Sequence, residues 1–193
     1  MNTRLPGPQR RRQLLDVALE TFGVGGYAEA SMADIARAAG ITKPVVYQHF
    51  TSKRALFLEV LDECGRRLES EVEKATANAA GPREQVEQGF SAFVRFFDEN
   101  PAMFRTMFSD ANRSDPEFAD RMHRTELLLA DRIASLIDVE DLTEADRTML
   151  AHSIVGMAEG ACRHWMSGDA QLPAERVGQL LADLAWAGLR GAG

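Results

Sequence analysis

The stretch ITKPVVYQHFTSK, Ile41 to Lys53, surrounds two valines with Thr42, Lys43, Pro44, Tyr47, Gln48 and His49. Ile41, Val46 and Phe50 stand five and four residues apart, the spacing of a turn plug followed by the inward face of a two-turn helix. With that face subtracted, Thr42, Lys43, Val45, Tyr47, Gln48 and His49 point outward or sideways. Pro44 falls in the first turn, where a missing N–H costs little. Nothing in the set is a nucleophile with a base in reach, and nothing has metal-ligand spacing. The residues are suited to touching something.

Working outward, Ser31 reads as an N-cap with Asp34 three residues on, a partial capping box. A short helix follows through Ala38, with Met32, Ile35 and Ala36 on one side, and Ala39-Gly40-Ile41 breaks it. Two short helices joined by a glycine-containing break form a helix-turn-helix. Ala36 is small enough to let the helices cross closely, and Gly40 takes a positive φ without a Cβ penalty. Upstream, Leu14, Leu15, Ala18, Leu19 and Phe22 predict a helix over about 8–23, ended by the glycines of GVGGY. Downstream, Ser52 caps a long predicted helix, and breaks at Gly81-Pro82, Pro101, Pro116, Thr143 and Pro173 divide the remainder into helices near 83–99, 102–109, 117–137, 144–167 and 174–190. No alternating β-branched run or hairpin dipeptide is present. The expectation is an all-α protein of nine helices, with a helix-turn-helix head over 1–54 and a helical body over 55–193.

The exposed chemistry of 41–53 suits a DNA groove. Lys43 can meet a phosphate or a guanine edge, Gln48 an adenine edge, and Pro44 and Val45 a thymine methyl. Thr42 and Tyr47 are phosphate-type donors, and Lys53 opens the next helix, where exposed N–H groups would also meet a phosphate. Each residue has a plainer alternative: Thr42 as a cap, Tyr47 packed on the first helix, His49 as a helix-end side chain, Lys53 as a solvated charge. Charge agrees with the groove. The chain carries a net −7, but residues 1–54 hold eight basic and four acidic residues, Arg4, Arg10, Arg11 and Arg12 among them. A basic head on an acidic body favours a polyanionic partner for the head.

Residues 10–57 resemble the DNA-binding head of the TetR (tetracycline-repressor-like) family of bacterial transcriptional regulators. The likeness rests on a basic first helix running into GGY, then on SMADIARAAGITKPVVYQHFTSKRALF with its IA..AG, Y.HF and SK..LF features. The resemblance implies a cytoplasmic, ligand-responsive repressor that binds a palindromic double-stranded DNA operator as a homodimer, with a small-molecule pocket in the acidic body. Carried over residue by residue, it gives Ser31, Thr42, Lys43, Pro44, Val45, Tyr47, His49 and Lys53 as DNA contacts, beside Gln48 from the groove chemistry. Position 54 is Arg where the family often has Glu, a change expected to matter little.

In the body, Val86, Phe90, Phe93, Val94 and Phe97 form one helical stripe, and six of ten phenylalanines fall between Phe90 and Phe108. A packed core is the plain reading. The sharper one is a cavity for a small hydrophobic effector, lined by Phe90, Phe93, Phe97, Phe104, Met107, Phe108, Met122 and Met157, since methionines adapt to varied shapes. Arg95, Arg105, His123, His152 and Glu159 are the polar groups on offer to orient it. The last two helices carry apolar stripes and a Gly156-xxx-Gly160 pair that permits close approach. An intersubunit four-helix bundle is expected there, with Ile154, Ala158, Ala161, Trp165, Leu181, Leu184 and Gly188 at the interface, unless those faces are core within one chain.

Other classes find little support. No hydrolase, phosphate-loop or dinucleotide motif is present, so an enzyme is not expected. A protein-binding helical adaptor remains a rival. No cofactor or metal is implied, and Cys64 and Cys162 are isolated. No apolar run reaches the ~20 residues of a membrane span.

Overall fold

Proline and capping chemistry set most of the helix ends. The structure, a computed structural model, describes residues 6–109, 112, 114–139, 141–168 and 170–191. Among these it holds nine α-helices and no strand, as expected. They are α1 (Gly7–Glu29), α2 (Met32–Ala38), α3 (Lys43–His49), α4 (Lys53–Thr76), α5 (Pro82–Glu99), α6 (Pro101–Phe108), α7 (Pro116–Leu136), α8 (Glu144–Met166) and α9 (Ala174–Arg190). Helices α5, α6 and α7 each begin on the proline itself, one residue before the predicted start. Proline's fixed φ and missing N–H suit the first helical position, so it opens the helix instead of preceding it. Thr143 caps α8 in a full capping box with Asp146, whose backbone N–H reaches Thr143 Oγ1 at 3.2 Å while its carboxylate accepts from Thr143 N at 2.9 Å.

The first helix differs from its expected end. It runs on through Gly23 and Gly25 to Glu29, with a kink at Gly26 (φ 74°, ψ 165°), a backbone region that essentially only glycine occupies. Gly23 has another task. A Cβ placed on it would stand 2.6 Å from Ala102 Cβ, so its bare backbone is what lets α1 and α6 pack.

The chain forms two compact units. One comprises residues 1–65 and 100–122; the other, 66–99 and 123–193. Helices α4 and α7 therefore each contribute one segment to either unit, and the packing does not divide at the expected 54/55 boundary. In the first unit, Leu14, Ala18, Phe22, Ile35, Val46, Leu56 and Phe57 are all buried. An aromatic cluster ties this unit together. The Phe57 ring lies 4.9 Å from Phe22, 4.8 Å from Tyr27 and 4.7 Å from Phe118. In the second unit α5 packs along α9, close enough that a Cβ on Gly178 would sit 3.3 Å from Ser91 Cα. Ala130, Ile137, Ala151 and Leu189 form the buried centre of a cluster there, flanked by Val86, Ile133, Ile154 and Val155.

Candidate nucleic-acid interface

Two turns of helix carry the site. Ser31 opens α2: its hydroxyl accepts from Asp34 N at 3.2 Å and donates to the Asp34 carboxylate at 2.5 Å. The Ser31 hydroxyl, with help from Arg37, holds that carboxyl below the usual carboxylate range. Gly40 turns the chain at φ 66°, and Ile41 N–H closes on Ala36 O at 2.9 Å. Thr42 then stands at the N-cap position of α3 with extended backbone, but its side chain makes no cap hydrogen bond. Its hydroxyl, which can both donate and accept, is therefore not spent on capping α3.

Of the seven residues of α3, only Val46 is buried. Lys43, Pro44, Tyr47 and Gln48 are exposed along with Thr42, while Val45 and His49 are half-buried. Tyr47 is 45% exposed, with Lys43 Nζ 5.9 Å from its ring centroid, so neither side chain is turned into the interior. The arrangement offers a hydroxyl, an ammonium, a phenol and an amide from one short helix. That is a donor set able to read base edges and bind phosphate.

Two of the nine expected contacts are engaged elsewhere. Lys53 is turned back onto the end of α1, its Nζ donating to Tyr27 O (2.7 Å), Ala30 O (2.9 Å) and Ala28 O (3.2 Å) and lying 4.4 Å from the Tyr27 ring centroid. All three ammonium protons are used on carbonyls at the C-terminal end of α1, where the helix has no further N–H groups to meet them, so a phosphate contact by Lys53 would replace one of these bonds. The Ser31 hydroxyl likewise spends its one proton on Asp34.

The basic surplus of the head is also smaller than its sequence count. Arg11 pairs with Glu59 and lies over the Phe50 ring; Arg37 pairs with Asp34 at 3.0 Å. Arg54, expected to matter little, is bound on both edges of its guanidinium: to Asp115 at 2.7 and 2.8 Å and to Glu117 at 2.7 Å. Arg54 draws the Asp115 carboxyl down to about 2. Asp115 in turn caps α7 by accepting from Glu117 N and Phe118 N. Asp34 was already in the count, but Glu59, Asp115 and Glu117 lie outside 1–54, which is why a window count missed them. Arg12 and Lys43 enter no ion pair among the described residues. Arg4 lies outside the described residues.

The second unit holds a cavity of about 350 Å³. Of the eight expected wall residues, Phe90 and Phe93 line it. Phe97 is buried in the same unit against Phe93 and Phe96 but is not on the wall, and Met157 is half-buried on α8 away from it. Phe104, Met107, Phe108 and Met122 belong to the first unit. The stripe on α5 faces the cavity only over its first three turns, and the break at Pro101 sends the remaining phenylalanines elsewhere. The walls the sequence did not reveal are Val72 and Thr76 of α4, Ile133 and Leu136 of α7, Ile154 and Val155 of α8, and Trp186 and Leu189 of α9. None of Arg95, Arg105, His123, His152 and Glu159 lines it; Arg105 Nε instead donates to Gly23 O at 2.6 Å.

On α8 and α9 the expected interface residues divide. Leu184 (62% exposed) and Gly188 face outward, Ala161 and Trp165 are half-buried, Ala158 and Leu181 are buried, and Ile154 lines the cavity. Met149 (69% exposed), Gly156 and Gly160 form an outward stripe on α8, and nothing stands within 4 Å of where a Cβ on either glycine would be. Among the described residues, no cluster of three His, Cys, Asp or Glu could hold a metal ion, and no helix is long and apolar enough to cross a membrane.

Comparison with known proteins bears on both units. Residues 14–60 match the family model described as bacterial regulatory proteins, tetR family, and residues 82–188 match a tetracyclin repressor-like C-terminal domain. The chain is 32% identical over 187 residues to the HTH-type transcriptional activator FasR of Mycolicibacterium smegmatis, covering 96% of this chain and 85% of that protein. It superposes with a TM-score of 0.79 on a TetR-like transcriptional regulator from Rhodococcus sp. RHA1, at 29% identity over 97% of this chain and all of the other. A tetR-family regulator from Streptomyces coelicolor shares the fold at a TM-score of 0.80, over 97% of this chain and 82% of its own.

Proposed function

This chain belongs to the tetR family of bacterial regulatory proteins and is a helix-turn-helix transcriptional regulator, not an enzyme, and we propose that it is an effector-released repressor acting as a homodimer on a palindromic operator in the cytoplasm. The observation that carries the proposal is the exposed set Thr42, Lys43, Pro44, Tyr47 and Gln48 on a helix that buries only Val46. Short polar and apolar side chains on such a helix reach base edges in a major groove, and Val45 and His49 reach its sides. Lys43 and Tyr47 supply phosphate contacts, and Gln48 reads a base.

Two copies meet, in this proposal, through the outward faces of α8 and α9, centred on Met149, Gly156 and Gly160 and on Leu180, Leu184 and Gly188. Bare glycines and exposed leucines on adjacent helices suit a self-complementary four-helix contact. The dimer spaces its two α3 helices by one helical turn of DNA, about 34 Å, or a larger fixed span. An apolar effector in the cavity displaces the segments of α4 and α7 that line it. A coupling of ~1–3 kcal/mol is enough to change operator affinity about 5- to 150-fold.

A second reading, activation, is favoured by the likeness to FasR, a transcriptional activator. Genome-wide mapping of bound DNA, paired with transcript levels in a deletion strain, tests both. The repressor proposal expects a shared palindrome whose neighbouring genes rise on deletion. Genes that fall would support activation, and the absence of any common site would remove the operator proposal.

A further inference from the structure

Arg132 stands in the wall of the second unit's cavity, which is otherwise mostly apolar. Its Nη1 reaches Glu73 Oε1 at 3.1 Å, and the Glu73 side chain is itself 55% exposed. Its Nε is buried without a hydrogen-bond partner. A buried donor on a charged group carries its desolvation penalty until an acceptor reaches it. A guanidinium presents its donors in a rigid fork that fits the two oxygens of a carboxylate edge-on.

The other charged groups at the cavity are Asp138 and Arg190, both exposed, one of each sign. Thr76 and Gln85 add neutral polar groups, and the Thr76 hydroxyl is committed to Val72 O at 2.9 Å. The surroundings are Val86, Phe90, Phe93, Leu129, Ile133 and Trp186. We infer that the cavity takes an amphipathic carboxylate, its apolar body against these side chains and its anionic end on Arg132. This deepens the proposed effector site and rests on it. The small apolar or aromatic effector expected from the sequence is narrowed to a monoanion by Arg132 in the wall, a residue that the helical stripes did not bring to the cavity.

The test compares decanoate and decyltrimethylammonium below their micelle concentrations and decanol below its solubility limit, by calorimetric binding to the full-length protein and by the shift in Tm. Decanoate is expected to bind about tenfold or more tighter than decanol, the lower end for a hydrogen bond to a charged group. In Arg132→Gln the two are expected to bind alike, at the wild-type affinity for decanol. Glu73→Gln leaves the cavity wall intact and removes the competing negative charge, keeping only a neutral amide acceptor; it is expected to tighten decanoate about twofold or more, the scale of an exposed ion pair, without changing decanol. Equal binding of decanoate and decanol to the wild type would overturn the carboxylate while leaving an apolar site. Tightest binding of the ammonium would overturn it in favour of Asp138. No binding by any of the three would overturn the inference together with the effector cavity, while operator binding, measured on the same samples, reports separately on the DNA-reading proposal.

Discussion

Helix α3 and the cavity are built on opposite plans. The helix is seven consecutive residues, and its working surface is whatever remains after Val46 is taken inward. The cavity draws its wall from α4, α5, α7, α8 and α9, with residues more than a hundred positions apart facing the same space. A local site can be read by subtraction along one helix. A site assembled by packing cannot, because helical spacing tells which residues face inward and not what they face. The stripe on α5 makes the point: Phe90 and Phe93 reach the cavity, while Phe97, one turn further on, packs against the Phe93 and Phe96 rings and is not on the wall.

The largest effect that would sharpen this contrast is expected at Phe57, which touches Phe22, Tyr27 and Phe118 in the first unit. Phe57→Ala is expected to cost about 3–5 kcal/mol, read as a lower denaturant midpoint. The glycines give the next test, with opposite signs in the two units. Gly23→Ala forces a methyl into Ala102 and is expected to cost about 1–3 kcal/mol. Gly156→Ala meets open space and is expected to leave the folded chain unharmed, gaining up to about 1 kcal/mol of helix propensity, while weakening the proposed dimer in sedimentation equilibrium. Equal losses at both positions would break the comparison.

Lys43 and Lys53 separate reading from holding. Lys43→Ala is expected to reduce the slope of log affinity against log salt by about two for the bound dimer, roughly one per subunit, at unchanged Tm. Lys53→Met is expected to lower Tm by opening the end of α1 and to leave that slope unchanged. A reduced slope for Lys53→Met would restore it as a phosphate contact.

The smallest effects concern pH. Arg54 depresses the Asp115 carboxyl to about 2 in the folded chain, so protonation favours unfolding. The contribution is present above the unfolded value near 4 and lost as pH falls to about 2. Asp115→Asn is expected to flatten that part of the stability profile. Burial pushes the Cys162 thiol up to about 12, so its stabilising effect is complete below the ordinary thiol value near 8.5 and fades as pH rises toward 12. Cys162→Ala is expected to remove that alkaline slope.

What could be read in advance follows from the range of the interactions involved. Helix boundaries came within a residue where a proline or a capping box marks them, as at Pro82, Pro101, Pro116 and Thr143, because capping is local. The end of α1 was misplaced because three glycines stand within four residues: Gly23 serves tertiary packing and Gly26 the kink, and sequence alone does not tell them apart. The exposure of Thr42, Lys43, Tyr47 and Gln48 was legible for the reason given above. The bonds Lys53 makes within the chain were not, since its three carbonyl partners lie 23 to 26 residues upstream. The Arg54 pairs were hidden at still longer range, 61 and 63 residues. Glu59, Asp115 and Glu117 likewise showed that counting charge along a window overstates what a folded surface presents.

The most direct measurement is selection of bound sites from a randomised duplex library, with the unaltered protein and with Gln48→Ala in parallel. The account predicts one enriched palindrome for the first. For the variant it predicts relaxed preference at one symmetric pair of positions, a discrimination loss of about 1–3 kcal/mol, with the rest of the site retained. An unenriched pool, or identical preferences from both proteins, would contradict the claim that α3 reads the bases.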